Sequence, residues 1–210
     1  MLDTLELAVS GPVIPVLVME RLEDAVPLAQ ALVAGGVRVL EVTLRTPAGL
    51  PSIAAIARAV PQAIVGAGTL RTAQDAVAVR AAGAQFAVSP GFSPVLAEAC
   101  QAQGLPLLPG VATPSEVMAA LEAGFRFLKF FPAEAAGGVS MLKSLAGPFP
   151  DVAFCPTGGI QIGNAASYLA QPNVRVCGGS WLTPSEAVRA GDWARITALA
   201  RQASALRPPG

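Results

Sequence analysis

Short apolar runs rich in β-branched residues recur along the chain, beginning near Val13, Val37, Ala63, Phe86, Leu107, Phe127, Val152 and Val174. Successive runs start 20–26 residues apart. Between them lie alanine- and leucine-rich stretches with apolar residues at helical spacing, at Leu22–Ala34, Ala73–Ala82, Pro94–Gln103 and Pro114–Ala123. The helix ends are marked as well. Gly35-Gly36, Gly83, Gly104 and Gly124 fall where a helix must stop before the next strand, and glycine takes the left-handed C-cap conformation without a side-chain clash. Pro94, Pro114 and Pro184 stand near first turns, where a missing N–H leaves no bond unmade. Eight strands alternating with eight helices predict one α/β domain over residues 1–210, closed as a (β/α)8 TIM barrel. The competitor is an open, doubly wound sheet, which often carries a Gly-x-Gly-x-x-Gly turn after its first strand. Here that turn reads Met19-Glu20-Arg21. The tail Arg207-Pro208-Pro209-Gly210 is expected to fray.

Composition narrows the function. Hydrophobic residues make up 53% of the chain and charged residues 13%, which fits a sheet buried on both faces and a buried oligomer interface. The formal net charge is zero and no block of like charge occurs, so neither nucleic acid nor an anionic membrane is expected as partner. The apolar runs are far shorter than the roughly 20 residues of a spanning helix. Met1 to Ser10 lack the cationic-then-apolar pattern of a secretory signal. Cys100, Cys155 and Cys177 are scattered, giving neither a disulfide framework nor a C-x-x-C site, and a reducing, cytoplasmic location is the expectation. Histidine is absent, which removes the commonest general base and the commonest transition-metal ligand together. The chemistry has to run on Lys, Glu, Asp, Tyr, Cys or Thr, with no metal and no cofactor expected.

Lys129 is one of two lysines and lies in Phe127-Leu128-Lys129-Phe130-Phe131-Pro132. A strand residue facing an apolar interior loses part of its ammonium character, because burial disfavours the charged form. Such an amine can form a Schiff base with a carbonyl substrate. The alternative is a structural lysine whose head reaches water or pairs with a carboxylate. The second strand reads Val37-Arg38-Val39-Leu40-Glu41-Val42-Thr43-Leu44-Arg45-Thr46, and side-chain alternation puts Glu41, Thr43 and Arg45 on one face. Glu41 and Arg45 read either as a structural ion pair or as a carboxylate base beside a cation that holds an anionic substrate group.

In a barrel, catalytic groups gather at the C-terminal ends of the strands. The third strand ends Gly66-Ala67-Gly68-Thr69, where the glycines allow close approach of a ligand or of a neighbouring strand and Thr69 offers a hydroxyl. The last two strands run into Pro156-Thr157-Gly158-Gly159-Ile160 and Cys177-Gly178-Gly179-Ser180-Trp181. Paired glycines after these two strands suit a phosphate cradle built from backbone N–H groups, with Thr157, Gly158, Gly159, Gly179 and Ser180 as its residues. Pro90 and Phe131 are candidate walls for the substrate. Glu134 is read as a second carboxylate or a helix cap, and Tyr168 and Trp181 as packing.

Four segments together resemble the signature of a known family: Glu41–Thr46, Gly66–Thr69, Phe127–Glu134 and Pro156–Ile160. They are similar to those of the 2-keto-3-deoxy-6-phosphogluconate (KDPG) and 4-hydroxy-2-oxoglutarate (KHG) aldolases, and the likeness runs from about Gly11 to about Arg201. The resemblance implies a homotrimeric class I pyruvate aldolase acting on a keto-acid sugar phosphate. It implies Lys129 as the Schiff-base residue, Glu41 as acid and base, Arg45 and Thr69 at the substrate carboxylate, and the glycine loops at the phosphate. The epimeric 6-phosphogalactonate substrate, or an isomerase or epimerase on the same fold, stands as the alternative.

Overall fold

A computed structural model describes residues 10–206. The expectations for the first residues and for the Arg207–Gly210 tail lie outside them. The order is β1 (Val13–Leu17), a 3-10 turn (Leu22–Asp24), α1 (Ala25–Ala34), β2 (Val39–Thr43), α2 (Gly49–Ala59), β3 (Ile64–Gly68), α3 (Ala73–Ala81) and β4 (Ala87–Val88). Then come α4 (Pro94–Ala102), β5 (Leu107–Leu108), β6 (Gly110–Val111), α5 (Pro114–Glu122), β7 (Phe127–Phe130), α6 (Gly138–Ala146) and β8 (Ala153–Pro156). The chain continues through α7 (Ile162–Leu169), β9 (Cys177–Gly179), α8 (Ser185–Ala190) and α9 (Trp193–Ser204).

The helix boundaries follow the local chemistry. Thr72 and Asp75 form a capping box at the start of α3, Thr113 and Glu116 another at α5, and Ser93 accepts from the Leu96 N–H at α4. At the far ends Gly36, Gly83, Gly104 and Gly124 take positive φ, as the glycine spacing predicts. Gly35 is needed for another reason. A Cβ there would lie 2.3 Å from the Ala200 Cβ, so this glycine lets the last helix α9 close onto α1. Thr197 Oγ1 and Ser204 Oγ donate to the Ala31 and Gly35 carbonyls across the same seam.

The α/β alternation stands, but the closed eight-stranded (β/α)8 TIM barrel does not. The strands form two parallel sheets: a six-stranded one in the order β5-β4-β3-β2-β1-β9, and a three-stranded one in the order β6-β7-β8. The first gap falls between Leu108 and Gly110. Pro109 has no N–H to continue a ladder, and it splits the fifth predicted strand into β5 and β6. Its carbonyl still accepts from the Lys129 N–H at 2.8 Å. The second gap lies between β8 and β9, where isolated bridges at Phe154–Val174 and Thr157–Gly178 replace a ladder. The eighth strand is accordingly shorter than its apolar run and starts at Cys177 rather than Val174.

Both sheets nevertheless line one interior. Ile14, Val39, Phe86, Val88, Leu108, Phe127, Cys155 and Val176 form a single buried cluster drawn from both. The helices cover the outside in two further clusters. Burial of this apolar surface stabilises the fold at about 25 cal/mol per Å², and it leaves very few polar groups inside. Two of those few are Glu41 and Lys129.

Candidate active site

Glu41 on β2 and Lys129 on β7 come from different sheets, 88 residues apart in sequence, and meet in the interior. Lys129 Nζ donates to Glu41 Oε1 at 3.3 Å, and each residue is 3% exposed. Parallel pairing sets Lys129 against Gly110 on one side and Cys155 on the other. The Phe131 ring lies 5.2 Å from Nζ, close enough for a cation–π contact. Thr43, stacked after Glu41 on β2, is fully buried and donates from Oγ1 to the Leu17 carbonyl at 3.0 Å, pinning β2 to β1.

The glycines of the third strand serve packing within the protein. A Cβ on Gly66 would strike the Phe86 ring at 2.4 Å, and a Cβ on Gly68 would strike Glu41 Oε1 at 2.2 Å. Gly68 therefore makes the space in which the Glu41 carboxylate reaches Lys129. Thr69 follows with φ +65°, a left-handed conformation that β-branched residues rarely take. Its Oγ1 accepts from Arg45 Nε at 3.2 Å, so Arg45 and Thr69 sit together beyond the C-terminal ends of β2 and β3.

The loops of the last two strands also converge. Thr157 bridges to Gly178, and its Oγ1 sits where a Gly178 Cβ would be, 2.2 Å away. Gly158 has φ +102° and lies against Phe131, whose Cδ2 would be 3.4 Å from an added Cβ. Phe131 thus touches the Gly158 loop and faces the Lys129 amine. Gly159 has φ +79° and packs on the Glu134 stem. Gly179 makes room for the Trp181 ring, and Ser180 after it is exposed. Pro90 enters through its backbone, its carbonyl lying 2.2 Å from where a Gly110 Cβ would be, next to the strand position that pairs with Lys129.

Three residues outside the predicted set take part. Tyr168 OH donates to Glu134 Oε1, so the tyrosine does more than pack. Asn164 Nδ2 reaches the same carboxylate oxygen at 3.4 Å and the Gly159 carbonyl at 3.0 Å. Glu134 caps no helix; it ties the loop after β7 to α7. Only the spacing Gln161-Ile162-Gly163-Asn164, a capping pair at the start of α7, could have pointed to Asn164 beforehand. The cysteines are free and buried. Burial pushes the Cys155 thiol up to about 12 against a partial opposing pull from Lys129, and pushes Cys100 up to about 11. Neither supplies a thiolate at neutral pH.

A buried amine touching a buried carboxylate, with a cation at the strand ends and glycine loops opposite, equips a protein to bond covalently to a carbonyl compound and move its protons. The comparisons agree with that class. A family model described as "KDPG and KHG aldolase" matches residues 6–199. The 2-dehydro-3-deoxy-phosphogluconate aldolase of Pseudoalteromonas atlantica is 57% identical over 195 residues, covering 93% of this chain and 91% of the relative. Among solved structures, KDPG aldolase from Legionella pneumophila, with pyruvate captured as a covalent carbinolamine intermediate, superposes with a TM-score of 0.93 at 49% identity, covering 95% of this chain and 97% of that one. The Zymomonas mobilis enzyme with 3-phosphoglycerate gives 0.92 at 48% identity, covering 96% and 95%. The chain belongs to the KDPG and KHG aldolase family of carbon–carbon lyases.

Proposed function

We infer that this chain is a Schiff-base aldolase that cleaves 2-keto-3-deoxy-6-phosphogluconate to pyruvate and glyceraldehyde 3-phosphate, the cleavage step of the Entner–Doudoroff route. The observation that carries the mechanism is the 3.3 Å contact between Lys129 Nζ and Glu41 Oε1 inside the fold. Glu41 takes a proton from Lys129, and the freed amine attacks the C2 ketone. The attacking nitrogen gives a second proton to the C2 oxygen and Glu41 returns the first, so the oxygen leaves as water and an iminium forms. The iminium withdraws electrons from the C3–C4 bond. Glu41, directly or through one water, then accepts the C4 hydroxyl proton as the bond breaks. Glyceraldehyde 3-phosphate departs and an enamine remains on Lys129. Protonation at C3 and hydrolysis release pyruvate and restore the amine.

The remaining residues orient the substrate. Arg45 and Thr69 hold the carboxylate beside the ketone, which aims C2 at Lys129. Phe131 and Pro90 wall the carbon chain. Thr157, Gly158, Gly159, Gly179 and Ser180 cradle the phosphate through backbone and hydroxyl donors. 4-Hydroxy-2-oxoglutarate presents the same bond to the same lysine without a phosphate, and its split to pyruvate and glyoxylate follows as a second activity. The protein works as a cytoplasmic homotrimer. Among the described residues no helix is long and apolar enough to cross a membrane, and the high apolar fraction of the chain supports a buried interface.

Borohydride added with pyruvate tests the assignment. A stable pyruvyl adduct is expected on the peptide carrying Lys129. Its appearance on Lys143, an exposed residue of α6, would overturn the mechanism. Thr69→Gly tests the strained position. An L-residue in the left-handed region costs about 1–2 kcal/mol, partly offset by glycine's larger chain entropy of about 0.5–1 kcal/mol. The variant should melt no lower than the parent while its KM for the keto acid rises about ten-fold, the worth of one hydrogen bond to a charged group. A lower Tm with unchanged KM would make Thr69 a folding residue.

A further inference from the structure

Resting on the reading of the Gly158–Gly159 loop as the phosphate cradle, we propose that Asn164 is the positioning residue of that cradle, held in orientation by Glu134 and Tyr168. Three successive carbonyls of the loop each have a donor. Thr157 O accepts from the Ala133 N–H at 2.8 Å, Gly158 O from the Glu134 N–H at 3.1 Å, and Gly159 O from Asn164 Nδ2 at 3.0 Å. In a planar trans peptide the N–H lies on the edge opposite the carbonyl. The N–H groups of Gly158 and Gly159 are therefore turned away from the loop after β7, and the Ile160 N–H away from the Asn164 amide at the start of α7. Successive main-chain N–H groups make an anion nest.

The first two carbonyls are fixed by main chain. The third depends on one side chain. Without the Asn164 donor, nothing in the loop holds the Gly159–Ile160 peptide in its orientation, and its rotation would present a carbonyl where the nest needs an N–H. Asn164 is itself tied at both ends. Its Oδ1 accepts from the Gln161 N–H at 2.8 Å, starting α7, and its Nδ2 also faces Glu134 Oε1 at 3.4 Å. An ionised carboxylate only accepts, so it selects the amide nitrogen and not the oxygen for that side. Tyr168, 1% exposed, holds the same carboxylate oxygen from below.

Two left-handed glycines make the arrangement possible. A Cβ on Gly159 would meet Glu134 Cγ at 2.4 Å, and one on Gly138, at φ +57°, would meet the Tyr168 oxygen at 3.0 Å. Electrostatics alone would not place a carboxylate behind a phosphate loop, since like charges repel. The hydrogen bonds it accepts are the reason for Glu134.

The decisive variant is Asn164→Asp. It keeps an oxygen for the Gln161 N–H, and so the helix start, but replaces the donor to Gly159 by an acceptor. KM for the phosphorylated keto acid should rise about ten-fold or more, with pyruvate imine formation and KM for 4-hydroxy-2-oxoglutarate within about two-fold of the parent. Inorganic phosphate should inhibit the parent competitively and the variant correspondingly less. Glu134→Ala should show the same selective loss, and Glu134→Gln, which still offers an acceptor, should recover phosphate binding at least to the parent level. Equal effects on phosphorylated and unphosphorylated substrates, or none, would overturn the role of Asn164. Ser180→Ala separates the two levels. If it raises KM selectively while Asn164→Asp does not, the cradle stands and this inference falls. If neither variant nor inorganic phosphate discriminates, the cradle reading fails and takes the inference with it.

Discussion

Lys129→Met is expected to abolish aldol cleavage, lowering turnover by about 10⁴-fold or more, and to destabilise the fold in the same stroke. Methionine matches the length of the lysine stem but has no nucleophile, so no iminium forms and nothing withdraws electrons from C3–C4. The stability loss has a separate cause. Lys129 and Glu41 side chains are each 4% exposed, and among the described residues the pair is the one salt bridge that neutralises Glu41 in the interior. Removing one partner of a buried pair costs about 3–5 kcal/mol, because the other is left as an uncompensated charge. Replacing both partners by neutral groups avoids that cost. Lys129→Met/Glu41→Gln should therefore regain most of the lost stability in urea titration while staying inactive in a pyruvate-release assay. Single and double variants of equal stability would show the pair to be energetically silent. Residual turnover in Lys129→Met with an adduct trapped elsewhere would remove the lysine from the mechanism.

Lys129 and Glu41 stand out in the sequence because their contexts are so unusual, although the sequence reads Glu41 as a partner of Arg45. A lysine between phenylalanines and a glutamate between valine and leucine have few polar neighbours, and in the folded chain they have one another. Helix ends were legible for a similar reason, since glycine, proline and the capping threonines act locally. The helical spacing at Ala73–Ala82, Pro94–Gln103 and Pro114–Ala123 meets α3, α4 and α5 to within a residue at each end.

Sheet closure depends on register between distant segments, and there local reading failed. Pro109 sits in an apolar run that otherwise looks like one strand, and nothing in the run says that the ladder must restart at Gly110. On the β8–β9 side only the isolated bridges Phe154–Val174 and Thr157–Gly178 form, and no periodicity in the two runs reveals that. The Asn164–Glu134–Tyr168 network was invisible for the same reason. Its members stand 30 and 34 residues from Glu134, and each alone reads as a cap, a loop charge or a packed ring.

The glycines of β3 carry the second large effect. Gly68→Ala should lower kcat about 10²–10⁴-fold, the range for losing a general acid or base, together with a loss of stability. The added Cβ would stand 2.2 Å from Glu41 Oε1, 2.7 Å from Cγ and 2.8 Å from Cδ. All three atoms belong to one side chain, so the backbone need not move. The carboxylate must rotate away from the position in which its Oε1 meets Lys129 Nζ at 3.3 Å. Overpacking of this kind costs about 1–3 kcal/mol in a buried site, parting the buried pair adds to that cost, and the proton transfers fail altogether once the pair is parted. Gly147→Ala is the matching control, because a Cβ there would have nothing within 4 Å and its φ of −64° suits alanine. It should be as active as the parent and no less stable. A Gly68→Ala enzyme with normal kcat would mean that Glu41 works from another position, and that its contact with Lys129 in the resting protein is not the one that moves protons.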